Sequence, residues 1–367
     1  MEQFENGTKS YNGITPVVDL NGSWYEMGRQ YGALLKGELQ DVYENMLCRE
    51  LFEKSAFNAD RAKAVAQKLY ANYPYRLKQF FAGMQETAEL SLDKLQLINA
   101  IEFLLSRANL QPGCSGIAVW GDYAADCLVY GRNYDYFMWL KNYAKNIALA
   151  AFHPSDGALS TVIIGFAGEI YAVNGMNEKG IFLELNNAMP SGGSISFENR
   201  VPSVVKLFEF LLDAATLDEM EVNFETTKAS SAYIVGVSDG QVARCYEWPT
   251  FGLQCRKSHT RPGLTVLTNH FTAPSWGLPR PEDSVSFATC ERRENLLALA
   301  KHFKGAIDAK VMKDIIDSAV DKVKTPAFST IYQIVTEPSK FTLSLRIPGV
   351  QDWTEFELKA LLRPKED

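Results

Sequence analysis

Long apolar runs, histidine and clustered basic residues are all scarce in this sequence of 367 residues. No window holds the roughly 18 consecutive apolar residues that a transmembrane helix needs, so we expect no membrane span. The net charge of −7, without any Lys- or Arg-rich run, argues against nucleic-acid binding. The 4 histidines form no cluster and the cysteines form no Cys-x-x-Cys pair, so we expect no metal site.

The cysteines are dispersed, and the first residues lack both a basic stretch and an apolar core. The start therefore predicts no signal peptide, and the cysteine spacing is typical of free thiols in a reduced, cytoplasmic protein. Hydrophobic residues make up 46% of the chain, which is enough for the core of one large or two ordinary domains. The cysteines are Cys48, Cys114, Cys127, Cys245, Cys255 and Cys290.

Residues 23–107 carry apolar positions at helical spacing almost throughout, whereas short strands begin after Cys114. Residues 1–22 predict an irregular arm with one short strand. This change of pattern predicts two parts, a mainly helical segment of residues 1–113 and a mixed part of residues 114–367.

The helical part has a clear start signal. Ser23 is followed three residues later by Glu26, which is a capping-box pattern. Gly28 and Gly32 lie one turn apart on the same helix, which favours close packing of another element against it. The pair is not a phosphate loop, because no strand precedes it and no Lys-Ser/Thr follows.

Beyond Cys114 the pattern predicts strands in two batches, each followed by two helices, and three closing strands. Such an order suits an α+β fold of two packed sheets with helices outside, although other α+β folds suit it equally. The first strands are predicted near 115–121, 127–132, 146–152, 160–165, 169–174 and 181–186. The later ones are predicted near 231–237, 242–248, 251–257, 264–269, 329–335, 341–346 and 353–358.

The run Gln111-Pro112-Gly113-Cys114 combines an open peptide bond with a nucleophile. Gly113 has no Cβ, so a thiol can reach its carbonyl carbon, and Pro112 fixes the approach of the chain. Cleavage at Gly113–Cys114 would free an α-amine with an ordinary pKa of about 7.7–8.0, which can accept the thiol proton. Nucleophile and base would then belong to one residue. A buried structural cysteine at a turn is the alternative that these residues leave open.

A second motif, Gly131-Arg132-Asn133-Tyr134-Asp135, follows Cys114 after a predicted hairpin. In this order and spacing, the chain resembles the N-terminal-nucleophile (Ntn) hydrolases, in particular the penicillin V acylase/choloylglycine hydrolases and the acyl-coenzyme A:6-aminopenicillanic-acid acyltransferases. The resemblance implies that Asp135 contacts the α-amine of Cys114 and that Arg132 lies beside its thiol. It also implies a four-layer αββα sandwich and a pro-segment, residues 1–113, removed from Cys114 by self-cleavage.

The resemblance carries three further site residues. Asn186 ends a run similar to the segment that carries an oxyanion-hole asparagine, and Asn269 follows an apolar strand as the family's supporting asparagine does. Arg292 matches the family's distal arginine, although it stands a few residues later than in choloylglycine hydrolases. Elsewhere in the run before Asn186, Asn174 and Asn177 are better explained as turn residues.

The expected reaction is hydrolysis of a linear N-acyl amide through an acyl-thioester on Cys114, without any cofactor. Transfer of the acyl group to an amine is one alternative. A Cys114–His270 cysteine hydrolase and an inactive binding protein of the same fold are the others. Tyr134, Tyr136 and Phe137 would line an acyl pocket, or equally pack in the core. The expected partner is a small N-acyl amide; a homo-oligomer is compatible with the sequence.

Overall fold

The N-terminal arm is ordered into strands in the structure, a computed structural model that describes residues 1–54, 58–107, 113–192, 195–257, 263–282, 287–321 and 328–362. The first three strands are β1 (Glu2–Phe4), β2 (Gly7–Asn12) and β3 (Thr15–Gly22). The expectation of an irregular arm is therefore wrong for β1 and β2, while the short predicted strand lies within β3. Because β3 pairs in parallel with the strand Ile147–Pro154, which lies beyond Cys114, the arm belongs to a larger sheet.

The helical segment follows as predicted. Its elements are α1 (Trp24–Leu34), α2 (Lys36–Asp41), a π-helical stretch (Val42–Glu53), α3 (Ala59–Ala71), α4 (Tyr75–Thr87), α5 (Leu92–Asn99) and α6 (Ile101–Arg107). The capping box at the start of α1 is confirmed, because the Ser23 side chain accepts from the Glu26 amide and the Glu26 carboxylate accepts from the Ser23 amide. A Cβ on Gly28 would lie 2.0 Å from the Phe80 carbonyl oxygen, so the missing side chain is what lets α4 approach.

In the remaining chain two batches of strands are each followed by two helices, and three further strands come after them, much as predicted. The strands are β4 (Ser115–Val119), β5 (Val129–Phe137), β6 (Ile147–Pro154), β7 (Thr161–Phe166), β8 (Asn174–Asn177), β9 (Phe182–Asn187), β10 (Tyr233–Ser238), β11 (Ala243–Trp248), β12 (Gln254–Arg256), β13 (Leu264–Leu267), β14 (Phe328–Glu337), β15 (Thr342–Ile347) and β16 (Gln351–Glu357). The helices are α7 (Ser203–Asp213), α8 (Leu217–Thr226), α9 (Thr289–His302), α10 (Ala309–Asp321) and α11 (Leu358–Leu361). The strand predicted at 169–174 is displaced, since β8 begins only at Asn174.

Within the described ranges these strands form two sheets. The larger has the order β1-β2-β3-β6-β7-β8-β9-β10-β11-β12, and the smaller has the order β13-β4-β5-β14-β15-β16. Helices α1 and α7 pack against the larger sheet, whereas α9 and α10 pack against the smaller one. The layers therefore run helix, sheet, sheet, helix, which is the α+β sandwich that the resemblance implied.

Strand β5 shows why the two faces of the smaller sheet differ. Side chains alternate along a strand, so Arg132 points to the larger sheet while Gly131 and Asn133 point to α10. Gly131 lies against Met312, and the Asn133 amide donates to the Ile316 carbonyl at 2.7 Å. The chemistry-bearing residues of β5 are thus divided between the interior of the sandwich and the helix layer.

Candidate active site

Cys114 stands immediately before β4, as the sequence predicted. Its neighbour Gly113 donates its amide hydrogen to the Asp135 carbonyl oxygen at 2.9 Å, which extends the antiparallel pairing of Ser115 with Asn133. The side chain of Cys114 is buried, with 2% of the residue exposed. Residues 111 and 112, the first half of the predicted cleavage motif, lie outside the described residues.

Arg132 lies beside the Cys114 thiol. Its Nη2 is 3.9 Å from the sulfur, and its Nη1 donates to the Glu184 carboxylate at 2.6 Å. Both members of this ion pair are fully buried. The expectation that Arg132 neighbours the sulfur agrees with this geometry, but the buried partner Glu184 was not foreseen from the sequence.

The thiol is held in its protonated form. Burial raises the pKa of Cys114 to about 12, and the negative charges of Asp135, Glu102 and Glu184 act in the same direction, while Arg132 opposes them. At neutral pH the sulfur of the uncut chain therefore carries a proton. A thiolate nucleophile would need a base close to the sulfur.

The carboxylate of Asp135 is buried, and its two oxygens have different surroundings. Its Oδ1 accepts from Thr330 at 2.7 Å, whereas no described residue donates a hydrogen bond to the buried Oδ2. The guanidinium of Arg292 is 3.9 Å from Oδ2. Burial raises the pKa of Asp135 to about 6, against the opposing charge of Arg292.

Arg292 connects Cys114 to Asn269. Its Nη1 donates to the Cys114 carbonyl oxygen at 2.6 Å, and its Nη2 donates to Asn269 Oδ1 at 2.7 Å. Asn269 in turn donates from Nδ2 to the Asn187 carbonyl at 2.8 Å. The late position of Arg292 in the sequence therefore does not keep it out of the site, because α9 brings it back to β4. The serine-rich loop at residues 284–286 lies outside the described residues.

Asn186 faces the Arg132–Glu184 pair. In either orientation of its amide, its nitrogen donates to the Glu184 carboxylate: at 3.4 Å to Oε1, or, with oxygen and nitrogen exchanged, at 3.0 Å to Oε2. Among the described residues, its hydrogen-bond partners do not include Cys114. A role of Asn186 in an oxyanion hole therefore stays a prediction.

The three predicted pocket residues have different surroundings. Tyr134 and Tyr136 are buried, and the Tyr134 ring stacks on Tyr332 with centroids 4.6 Å apart. The Tyr134 hydroxyl donates to Glu102, a residue of α6, at 2.9 Å. Phe137 is only partly buried and stacks on Trp139. Glu102 is a second buried acid that the sequence did not reveal.

His270 is engaged away from Cys114. Its Nδ1 is 2.9 Å from Thr289 Oγ1, and its Nε2 is 3.8 Å from Cys290 Sγ. Burial and the nearby arginines lower the pKa of His270 to about 4, so it is a weak base. This geometry argues against the Cys114–His270 mechanism.

The described residues contain neither a candidate metal site nor a candidate membrane-spanning helix. No group of three or more His, Cys, Asp and Glu side chains there has the arrangement of a metal site. Among the helices of the same residues, none is both long enough and apolar enough to cross a membrane.

Comparison with solved structures identifies the fold. A mutant of the conjugated bile acid hydrolase from Clostridium perfringens is similar to 69% of this chain over 95% of its own, with 14% sequence identity and a TM-score of 0.52. A Caenorhabditis elegans ortholog of N-acylethanolamine-hydrolyzing acid amidase has 19% identity over 65% of this chain and 95% of its own, with a TM-score of 0.47. Penicillin V acylase from Agrobacterium tumefaciens has 12% identity over 65% of this chain and 84% of its own, with a TM-score of 0.44.

The chain has the fold of the Ntn hydrolases, on the strength of the first of these similarities. The resemblance read from the sequence is thereby confirmed at the level of the fold. No protein-family model matches the chain, and no curated protein matches its sequence.

Proposed function

We propose that this protein is an N-terminal-cysteine hydrolase of linear N-acyl amides, activated by cleavage between Gly113 and Cys114. The observation that carries the proposal is the set of charged groups around Cys114: Arg132 at its sulfur, Arg292 at its carbonyl oxygen, and the buried carboxylate of Asp135, the residue whose backbone carbonyl accepts from the Gly113 amide. A buried structural cysteine has no need of two buried arginines and a carboxylate. The charged groups suit a nucleophile that gains an α-ammonium.

Activation would proceed in two steps. The Cys114 sulfur attacks the Gly113 carbonyl carbon, the peptide C–N bond breaks, and the nitrogen takes up the proton that the thiol gives up, which leaves Gly113 as a thioester. Water then hydrolyses the thioester, releasing the Gly113 carboxylate, the thiol and the α-amine of Cys114. Asp135 would hold that amine through Oδ2, whose hydrogen-bonding capacity no described residue uses.

Turnover would use the same sulfur. The α-amine takes the thiol proton, the sulfur attacks the amide carbonyl carbon, and Asn186 with nearby backbone amides would stabilise the oxyanion; each such donor is worth about 3 kcal/mol. The C–N bond breaks as the α-ammonium gives its proton to the leaving amine. Water, or an amine if the protein is an acyltransferase, then releases the acyl group from Cys114.

The test is covalent capture combined with turnover. Purified protein is incubated with a panel of N-acyl amides whose acyl chain and amine vary separately. We expect free amine as product and an acyl adduct on Cys114 in the mass spectrum, both lost in Cys114→Ala and kept in His270→Ala. Turnover lost in His270→Ala would favour the Cys–His mechanism, and the absence of any adduct or turnover would favour a binding protein.

A further inference from the structure

The segment before the predicted cleavage site reaches into the site itself. Helix α6 ends only a few residues before Gly113, and its Glu102 is 3% exposed. The only hydrogen bond of Glu102 to another side chain within the described residues is the one that it accepts from the Tyr134 hydroxyl at 2.9 Å. Tyr134 lies on β5, two residues from Arg132. A residue upstream of the cleavage site thus contacts the strand that carries the candidate catalytic arginine.

Tyr134 connects Glu102 to Arg132, the residue beside the Cys114 sulfur. The Arg132 guanidinium lies over the Tyr134 ring, 5.6 Å from its centroid, a distance typical of a cation–π contact. The Tyr134 ring also stacks on the Tyr332 ring almost in parallel, at 9°. A ring held by a hydrogen bond at its hydroxyl and by stacking has little freedom to tilt.

Arg132 has three other fixed contacts. It donates to Glu184 and to the Val173 carbonyl through Nη1, and its Nη2 lies 3.9 Å from Cys114 Sγ. Its Nε has no hydrogen-bond partner among the described residues. The polar contacts fix one end of the guanidinium, and the Tyr134 ring fixes the plane in which the group lies.

We propose that Glu102 is a positioning residue of the catalytic centre: it holds Tyr134, and Tyr134 holds the Arg132 guanidinium beside the Cys114 sulfur. The inference rests on the proposed function for its role in turnover. It also gives residues 1–113 a task after cleavage, because the cut chain must keep α6 in place for Arg132 to stay aligned.

The electrostatic effect of Glu102 is consistent with this position. Its negative charge raises the pKa of the Cys114 thiol, while burial raises the pKa of Glu102 itself. Tyr134, Tyr136 and Arg132 from β5 face Glu102. Neighbouring elements contribute the charge of Glu169 and the hydroxyl groups of Tyr171 and Tyr233. Removing the charge of Glu102 should therefore change the pH dependence of the thiol's reactivity as well as the alignment of Arg132.

The experiment compares Glu102→Ala, Glu102→Gln, Tyr134→Phe and the double variant Glu102→Ala/Tyr134→Phe. Contacts that orient metal ligands are worth roughly 10–100-fold in activity, and we expect a loss of the same order from the contacts that orient Arg132. We expect kcat to fall by about that factor in Glu102→Ala and Tyr134→Phe with KM little changed, and the double variant to be no worse than either single one. Glu102→Gln keeps an acceptor oxygen and should keep most of kcat, with a shifted pH profile.

Glu209→Gln is the matched control, since Glu209 is also a largely buried glutamate but pairs with Lys206 on α7. Three results would each overturn the proposal. The first is an equal kcat in Glu102→Ala and the wild type, and the second is an equal loss of kcat in Glu102→Ala and the control. The third is a fully additive loss of kcat in the double variant.

A second readout separates this inference from the proposed function. The rate of Cys114 alkylation by iodoacetamide is measured on folded protein across pH, whether or not any amide is turned over. We expect altered profiles in Glu102→Ala and Glu102→Gln and an unaltered one in the control. If the wild type turns over no amide, the proposed function fails, and the alkylation profiles still decide the role of Glu102: superimposable profiles would refute it.

Discussion

Arg132 and Glu184 form a fully buried ion pair in the interior of the sandwich. Breaking such a pair by removing one partner leaves an uncompensated buried charge, at a cost of about 3–5 kcal/mol. We therefore expect Arg132→Met to lower the free energy of unfolding by that amount, and Arg132→Met/Glu184→Gln to recover much of it. Urea denaturation measures both changes.

The exposed pair between Lys63 and Asp93 is the control for this prediction, because solvent screens it. Lys63→Met should leave the urea midpoint nearly unchanged. Equal stability of Arg132→Met and the wild type would show that Glu184 does not depend on Arg132.

Glu169 makes stability depend on pH. Burial, and then the charge of Glu102, raise its pKa to about 8, whereas an unfolded glutamate has a pKa of about 4.3. Between these values the native state holds a proton that the unfolded state has lost, so stability falls as the pH rises, by up to about 1.4 kcal/mol per pH unit.

Glu169→Gln should flatten this dependence while keeping an oxygen that can accept from the Phe166 amide, as Glu169 Oε2 does at 2.9 Å. Thermal unfolding measured from pH 5 to pH 8 (about the window between the two pKa values) tests it. Parallel curves for variant and wild type would show that Glu169 ionises normally.

The sequence revealed the polar residues near Cys114 but not their buried acidic partners. Arg132 and Asp135 were recognisable because they share one short motif. Glu184 is 52 residues from its partner Arg132 in the sequence, and Glu102 is 32 residues from its partner Tyr134. The residues next to each acid do not indicate which partner it binds. One signal was present: Glu184 interrupts an apolar strand, where a charge needs a buried partner.

Helices α1 and α4 show how two glycines define a packing contact. A Cβ on Gly28 would meet the Phe80 carbonyl, and one on Gly83 would lie 2.0 Å from the Tyr25 carbonyl. Gly28→Ala should therefore lower stability by about 1–3 kcal/mol, the usual cost of overpacking. Thermal unfolding is the measurement.

Gly37→Ala is the internal control, because a Cβ at this exposed position on α2 would meet nothing within 4 Å. There the higher helix propensity of alanine should raise stability by up to about 1 kcal/mol. Similar shifts in the same direction for both variants would mean that propensity, not the α1–α4 contact, decides the effect.

Strong local signals in the sequence were sufficient to predict individual helices and strands, and weak signals were not. The capping box placed the start of α1, and alternation placed β4 and β5. Strands β1 and β2 were missed because they are short and largely polar at the sheet edge, and their pairing with β3 supplies the hydrogen bonds that define them. Such pairing is a property of the folded sheet rather than of the segment.

The segment before Cys114 pairs and forms hydrogen bonds with the part of the chain that follows Cys114. β3 pairs in parallel with β6, the Tyr31 hydroxyl accepts from the Gly168 amide, and Asn99 accepts from the Ile170 amide. After cleavage we expect the two chains to elute together in native size-exclusion chromatography and to separate only in denaturant. Loss of the shorter chain under native conditions would contradict this expectation.

For the whole molecule, the order of the layers could be predicted from the order of strands and helices together with the resemblance to the Ntn hydrolases. Periodicity alone left other α+β folds open, because it does not say which strands become neighbours. In the structure β4 and β13 are neighbours, far apart in sequence, and this pairing brings Asn269 toward Cys114.

The mass of the purified protein under denaturing conditions tests the central claim most directly. We predict two chains, residues 1–113 and 114–367, for the wild type, one whole chain for Cys114→Ala, and normal cleavage for the control Cys290→Ala, which removes another buried thiol. A wild-type chain that stays whole, or a Cys114→Ala chain that is cut at the same bond, would contradict the account.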